Sequence, residues 1–376
     1  YRSRKETLDL FTDQKPVIVT SPVLQELDKP RQTHVFLRGN FEALGDAVSA
    51  TVPGFLSVVN EASESHANRL DFARWLISND HPLTARVLVN RVWQRYFGTG
   101  LVSTENDFGL SGAYPSHPRL LDWLAAELIR HDWSLKHLHR LITSSATYRQ
   151  ASHTRLDLQE LDPQGRWLAQ QQRLRLEAEI IRDQALAASG LLNVQVGGPS
   201  VFPFQSDGVM HGRADKSTWK MDEDAGRYRR GIYVHFWRLT PHPYLRAFDA
   251  PDANESCTRR VPSNTASQAL VLLNHPWFAE CAVAMAARVH DHSESDDDRL
   301  RFAFQLCLTR PPAEPEMQAL SELLAARRAA LRSSPQKAKE ILSAAITVQE
   351  GDPVELAAWA GVTRAILNLD ECINRE

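Results

Sequence analysis

Apolar residues recur at intervals of three and four along most of the chain, which is the spacing of one face of an α-helix. The segment 118–130 is a clear case, because Pro118 suits the first turn of a helix. Leu121, Leu124 and Leu128 then form one apolar stripe. The same spacing, with capping residues and glycines at its ends, predicts further helices. These are Ala67–Ser78, Leu83–Phe97, Leu135–Thr147, 166–188, 265–273, 275–290 and three or four over 297–370.

Two regions depart from the helical pattern. Residues 1–64 contain short β-type runs, including Val17–Val19 and His34–Leu37, and prolines separate these runs. They predict an extended arm with one or two hairpins. Residues 229–239 are rich in β-branched and aromatic residues and predict a strand. We therefore predict a mainly α fold, a multi-helical domain with a small β element from the arm and the strand near 229–239.

The chain has 376 residues, a length that favours more than one lobe. We predict a β-rich arm or linker over 1–64 and a helical core domain with long irregular loops over 65–290. A C-terminal helical bundle, packed on that core, is predicted over 291–376. The Gly-, Pro- and Asp-rich stretch 190–227 is the longest of the predicted loops.

Composition narrows the class of protein. The formal net charge is −3, so bulk electrostatics does not favour a nucleic-acid partner. No apolar run reaches 18 residues, and we expect no membrane span. The four cysteines form neither a CxxC pair nor the CxxCH motif that attaches c-type haem, so we expect no cofactor in this chain. The first residue is Tyr1, which indicates either a removed leader or a piece of a longer chain.

Polar residues interrupt the most apolar predicted helix, Leu83–Phe97. Arg86 and Asn90 are four residues apart and share one face of it. Polar groups on a helix that buries most of its surface need either partners or a cleft. One interpretation is an anion or sugar site that these two residues form with Asn106 or Asp107. The other is a buried network that ties the helix to the loops after it.

Histidines suggest two further sites. His117 precedes the predicted helix start at Pro118, where it could act as a general base or simply cap the helix. His131, His137 and His139 raise the possibility of a metal site. However, His137 and His139 are two apart on a helix and point in different directions, and no HExxH motif is present. We expect no metal site.

A second concentration of polar residues lies between 229 and 268. Arg259 and Arg260 precede a predicted helix start and would make an anion-binding corner, with Arg230 beside the predicted strand. The alternative is that these arginines are solvated and satisfy nearby aspartates such as Asp249.

Two carboxylates in the 166–188 segment are also candidates. Glu179 and Asp183 are four residues apart on one helix face, where two carboxylates could act as an acid–base pair. Ion pairs with Arg175 and Arg182 are the favoured interpretation.

Many short motifs, in a fixed order, resemble one known family. The motifs are Arg69-Leu70, Ala73–Leu76, Leu83–Val87, Val89–Gln94, Phe97-Gly98, Asp107–Gly109, His117-Pro118, Leu120–Ala125, Trp133–Lys136, Ser144–Gln150, Arg175–Glu179, Ile181–Asp183, Gly197–Ser200, Tyr228–Tyr233, Phe248-Asp249, Gln268–Leu270 and Leu273-Asn274. Over about 65–376 the chain resembles the planctomycete cytochrome-c-associated C-terminal domain, a family of unknown function.

The resemblance implies an exported protein, periplasmic or at the cell surface. Its partners would be an upstream c-type cytochrome and a second helical domain of the same protein. Haem c would then be held only in the upstream domain. The family brings no established reaction, so no catalytic residue is carried over and enzymatic activity stays undecided.

Two functions are therefore expected. The first is a non-catalytic binding or scaffold module of such a protein. The second is an enzyme or binding site for a polyanionic glycan, either sulfated or carboxylated. The candidate ligand- or anion-binding residues are Arg86, Asn90, Asp107, His117, Arg230, Arg259 and Arg260.

Overall fold

The computed structural model describes residues 20–29, 31–53, 68–79, 81–153, 155–158, 160–205, 219–223, 225–238, 240–343 and 351–375. The chain divides into two compact units, Tyr1–Ala85 and Arg86–Glu376. The predicted partition at residues 64 and 290 stays a prediction. The predicted β run Val17–Val19 lies outside the described residues.

The first unit contains a hairpin and a short helix. Strands β1 (Thr33–Phe36) and β2 (Leu44–Val48) pair in antiparallel fashion, and a 3₁₀ turn over Leu37–Gly39 follows β1. Helix α1 (Arg69–Leu76) begins at a capping box formed by Asn68 and Asp71. The apolar density of this segment predicts a buried helix, and that prediction is wrong, since α1 has no buried residue. The described part of this unit offers too few elements to enclose an apolar face.

From residue 84 onward the described chain forms eleven α-helices, with two short strands that pair with each other. The helices are α2 (Thr84–Phe97), α3 (Pro118–Arg130), α4 (Leu135–Ser144), α5 (Ala178–Ser189), α6 (Pro243–Ala247), α7 (Ala266–Asn274), α8 (Pro276–His290), α9 (Asp296–Leu308), α10 (Glu314–Arg332), α11 (Pro335–Leu342) and α12 (Pro353–Leu367). The strands are β3 (Leu174–Arg175) and β4 (Asn374–Arg375). The prediction of a mainly α fold with a small β element is confirmed.

The larger core of the second unit is built around α8. This helix is apolar on nearly every face, which is typical of a helix at the centre of a core. It packs against α12 and α5, and α12 in turn packs against α10 and α11. Trp359, Phe304 and Met285 are among the largest side chains enclosed there.

A smaller core joins α2, α3 and α4. Val89 and Trp93 of α2 pack with Leu124 and Leu128 of α3 and with Leu138 of α4. The leucine stripe read from the sequence is the face of α3 that is buried. Ser134 caps α4, as predicted, by accepting a hydrogen bond from the backbone of His137.

The structure corrects two predicted elements. Residues 229–238 do not form a strand but a 3₁₀ turn over Gly231–Tyr233 with single β-bridges at Arg229 and Val234. The helix predicted over 166–188 begins only at Ala178, because the residues just before it form β3 and pair with the last residues of the chain.

All four cysteines are free thiols. Cys281, Cys307 and Cys372 are buried, and Cys257 is exposed. Burial raises the pKa of the Cys281 thiol to about 12. The first two of these therefore serve as small core side chains, as their apolar surroundings predict.

Among the described residues, no single helix has both the length and the apolar composition needed to cross a membrane. Within the described part of the chain, α7 and α8 are the one pair that reaches those limits together, and a bend of 54° separates them.

Arg328 of α10 forms ion pairs with residues of two other helices. It donates to Asp296 at the start of α9 and to Glu355 in α12. Its hydrogen bonds hold the pKa of Asp296 below the ordinary aspartate value. A carboxylate with a lowered folded-state pKa stabilises the fold above its unfolded pKa, and this contribution is lost as pH falls through the folded value.

The Arg328→Met variant is therefore expected to be less stable than wild type at pH 7, and the difference should shrink as pH falls from 5 to 3. Urea unfolding at pH 7, 4 and 3 measures it. Arg332→Met, at an exposed position in the same helix, is the matched control and should match wild type throughout. A difference of constant size from pH 7 to pH 3 would show that the ion pairs do not cause it.

Candidate functional site

Six arginines surround one open cavity of the second unit, which we call the arginine cleft. The cavity has a volume of about 550 Å³, which is within the range of ligand sites. Its walls come from the end of α2, from β3, from β4, from the loop 259–262 and from α7. The arginines are Arg95, Arg173, Arg175, Arg259, Arg260 and Arg375. Two carboxylates, Glu177 and Asp249, also line it.

Amide side chains complete the walls of the arginine cleft. Gln94, Gln164, Gln172 and Gln268 line it, and Phe97 adds an aromatic ring. Gln268 is almost fully buried and anchors the floor of the cleft. Its side chain accepts from Arg175 at 2.7 Å and donates to the Ala247 carbonyl at 3.1 Å.

A glycine permits the close approach of β3 to the end of α2. Gly98 ends that helix in the left-handed region, at φ +77°. A Cβ atom at this position would lie 2.5 Å from the side chain of Leu174. Another residue at position 98 would therefore adopt a strained backbone conformation and would force the Leu174 side chain of β3 to move.

Most of the cleft arginines have carboxylate partners. Arg260 forms a two-pronged ion pair with Glu179, at 2.6 and 3.1 Å. Burial raises the pKa of Glu179, but the hydrogen bonds from Arg260 and from the backbone, together with the charges of Arg260 and Arg95, outweigh that effect and hold the pKa below its usual value. Arg95 pairs with Glu177.

At the other wall, one aspartate serves two arginines. Asp370 accepts from Arg173 at 2.6 Å and from Arg175 at 3.3 Å. Arg375 donates to the backbone carbonyl of Tyr96. These contacts fix the guanidinium groups in place around the cavity before any ligand arrives.

Arg259 differs from the other cleft arginines. In the part of the chain that the structure describes, its guanidinium group makes no hydrogen bond or ion pair, and the residue is exposed. It also lines a second cavity of about 440 Å³. The two cavities share Phe97, Thr99, Gln164, Gln172 and Arg259, so they form one continuous surface.

Buried polar atoms in the cleft walls lack partners. Within the described residues, Gln94 Oε1, Arg175 Nε and Arg375 Nε make no hydrogen bond. The Arg175 side chain is only 10% exposed. Unsatisfied buried groups each cost about 1–3 kcal/mol, so these three atoms lower the stability of the cleft walls.

Of the seven candidate residues, only Arg259 and Arg260 line the arginine cleft. Arg86 donates to Asp122 of α3 at 2.7 Å. Asn90 is fully buried and binds the backbone of Val102. It thus forms the network between the helix and its following loop that the second interpretation describes.

The remaining three candidates lie elsewhere. Asp107 accepts from the backbone of Gly109 in a local turn. His117 precedes α3 without capping it, and its Nδ1 lies 3.1 Å from the Ser116 hydroxyl. Arg230 pairs with Asp183 at 3.1 Å.

The loop after α2 and the polar region between 229 and 268 contact each other at one point. Asn106 donates to the Thr258 hydroxyl at 2.7 Å, next to Arg259. Ser116 and Arg259 both line the second cavity. The role of each candidate as a ligand-binding residue stays a prediction.

The favoured ion-pair interpretation of Glu179 and Asp183 names the wrong arginines. Their partners are Arg260 and Arg230. Arg182, which is almost fully buried, donates instead to the carbonyls of Arg227 and Arg229.

Residues 68–324 match the family described as PSD1, a protein of unknown function (DUF1553). The chain belongs to this family. Comparisons with curated proteins and with solved structures give no match. The matched range contains most walls of the arginine cleft, including Arg95, Arg175, Arg259 and Arg260.

Proposed function

We propose that this PSD1-family chain is a binding module whose arginine cleft takes an anionic carbohydrate, either sulfated or carboxylated. The observation that carries the proposal is the guanidinium of Arg259, which pairs with no described residue, beside five fixed arginines around one cavity. Arginine binds sulfate and carboxylate through paired N–H donors, which makes it the side chain best suited to such groups.

The amide side chains favour a carbohydrate over a simple anion. Sugars present hydroxyl groups that both donate and accept, and glutamine amides match them. Gln94, Gln164 and Gln172 stand among the arginines of the cleft. The continuous surface of the two cavities gives room for more than one sugar unit.

We also propose a cellular location and partner domains for this chain. The order of motifs resembles the planctomycete cytochrome-c-associated family, and from it we infer an exported protein that works beside an upstream cytochrome and helical domain. Fractionation of cells that make the native protein tests this, and recovery in the cytoplasmic fraction alone would count against it.

The binding proposal is tested by calorimetry with a heparin-derived hexasaccharide and with an oligogalacturonate. Wild type is expected to bind at least one of them, and Arg259→Ala to weaken that binding about 10-fold or more, because one charge-assisted hydrogen bond is worth about 1.5–3 kcal/mol. Affinity should fall with added salt. The fold should be unaffected, since Arg259 is exposed.

The matched control is Arg301→Ala. Arg301 is an exposed arginine of α9 that does not line the arginine cleft, and its loss should leave affinity unchanged. An uncharged hexasaccharide is the ligand control and should not bind. If wild type binds neither anionic probe at millimolar concentration, or if both variants lose affinity equally, the cleft is not a glycan site. In that case the non-catalytic scaffold function is favoured.

A further inference from the structure

Two histidines and a glutamate converge at the turn between α3 and α4. Glu127 lies in the last turn of α3, His131 follows the end of that helix, and His137 lies in the first turn of α4. The nitrogen and oxygen atoms that could bind a metal all lie within 4.8 Å of one another.

Both imidazoles direct Nε2 at the same carboxylate oxygen. Glu127 Oε1 lies 2.9 Å from His131 Nε2 and 3.5 Å from His137 Nε2. The rings stack with their centroids 3.7 Å apart. The hydrogen bond from His131 accounts for one histidine only. His137 Nε2 is buried and, among the described residues, has no hydrogen-bond partner.

We propose that Glu127, His131 and His137 form a divalent metal site that binds Zn²⁺, with water as the fourth ligand. Zinc takes imidazole nitrogen and carboxylate oxygen at about 2.0–2.2 Å in a tetrahedron, which places neighbouring ligand atoms about 3.4 Å apart. The two observed distances are close to that value, so small side-chain rotations admit the ion. A bound ion also gives His137 Nε2 the partner that it lacks.

The site lies near the surface, and one carboxylate oxygen of Glu127 is left to the two histidines. The side chains of His131 and His137 are 42% and 31% exposed, and a rotation of the His137 ring that uncovers Nε2 gives a metal ion access. Arg130 contacts Glu127 through the other carboxylate oxygen, Oε2, and leaves Oε1 to the histidines.

The spacing of the histidines alone predicts no metal site, because His137 and His139 diverge. The structure agrees that they diverge, since His139 contacts the Tyr96 hydroxyl at 2.8 Å. The proposed ligand set instead joins His137 to a Glu-x₃-His pair from the preceding helix. It lines neither cavity of the arginine cleft and does not rest on glycan binding.

The experiment uses the full chain, freed of metal with EDTA and titrated with ZnCl₂. Wild type is expected to bind one equivalent of Zn²⁺ by calorimetry and to gain thermal stability from it. With Co²⁺ in place of Zn²⁺, an intense visible absorption band would report tetrahedral coordination. Glu127→Gln, His131→Gln and His137→Gln should each weaken binding at least 10-fold and lose the band.

The matched control is His153→Gln, which removes an exposed histidine from a different part of the second unit. It should bind one equivalent with wild-type affinity. Circular dichroism shows whether each variant is folded, and a variant that does not fold is replaced by the matching asparagine substitution. Failure of wild type to bind Zn²⁺ at 1 mM, or equal binding by all variants, would overturn the proposal.

Discussion

Replacing Glu280 with leucine is expected to lower the free energy of unfolding by about 3–5 kcal/mol, the range measured when one partner of a buried ion pair is removed. Glu280 lies on α8 and accepts from Arg227 at 2.8 Å and from the Tyr228 hydroxyl at 2.7 Å. Both members of the ion pair are about 95% buried. Without the carboxylate, a charged guanidinium would remain in the core with no counterion.

Arg227 makes this loss especially costly. Its Nε and Nη1 atoms already lack partners among the described residues, so Glu280 is the group that balances its charge. Burial, together with the neighbouring Glu280, raises the pKa of Tyr228, so its hydroxyl stays a donor at any ordinary pH. Tyr228 cannot replace the missing negative charge.

Urea unfolding of Glu280→Leu, of Arg227→Met and of the double variant measures the effect. The double variant should be more stable than Glu280→Leu, because no charge is then left buried. Glu322→Leu, at an exposed position of α10, is the control and should change stability by about 0.5 kcal/mol or less. A loss below about 1 kcal/mol for Glu280→Leu would mean that water reaches Arg227 in solution.

The helices that the sequence predicts well are those whose signals are local. The α3 helix runs from Pro118 to Arg130, as predicted, because a proline at its first turn and a leucine stripe define it without reference to the rest of the chain. The start of α4 follows from the Ser134 cap for the same reason. Such signals act within one or two turns and are visible in the sequence.

Distant contacts explain the elements that the sequence misplaces. The stretch 229–238 has β propensity, but Asp183 binds the backbone N–H of Gly231 at 2.6 Å and Arg229 donates to the Pro199 carbonyl at 2.9 Å. These bonds fix a 3₁₀ turn instead. Likewise Leu174 and Arg175 leave the helical pattern because they pair with Arg375 and Asn374, about 200 residues later in the chain.

Local sequence signals and distant contacts also contribute separately to the candidate site. The adjacent pair Arg259-Arg260 is a local signal, and both residues line the arginine cleft. Of the other four arginines, Arg173 and Arg175 lie beside and in β3, whereas Arg95 lies in α2 and Arg375 in β4. Only the packing of these distant segments brings the four together. The sequence does not indicate that Glu127 lies beside His137, because the two residues come together only when α3 and α4 pack against each other.

Asn90 satisfies both backbone hydrogen-bonding groups of Val102. Asn90→Leu is expected to cost about 2–4 kcal/mol, because the two backbone groups of Val102 would each lose a buried hydrogen bond. The Asn90 side chain is fully buried, donates to the Val102 carbonyl at 3.0 Å and accepts from its N–H at 2.9 Å. Leucine is similar in volume but offers neither a donor nor an acceptor.

The Asn90→Leu substitution should also disturb the wall of the arginine cleft. Asn90 holds the loop that follows α2, and Thr99 and Ser103 of that loop line the two cavities. Urea unfolding measures the stability, and Arg91→Leu, at an exposed position one residue along the same helix, should change it by about 0.5 kcal/mol or less. If Asn90→Leu unfolds at the wild-type midpoint, water must satisfy Val102, and the loop is then held by the packing of Leu101 and Val102 in the smaller core.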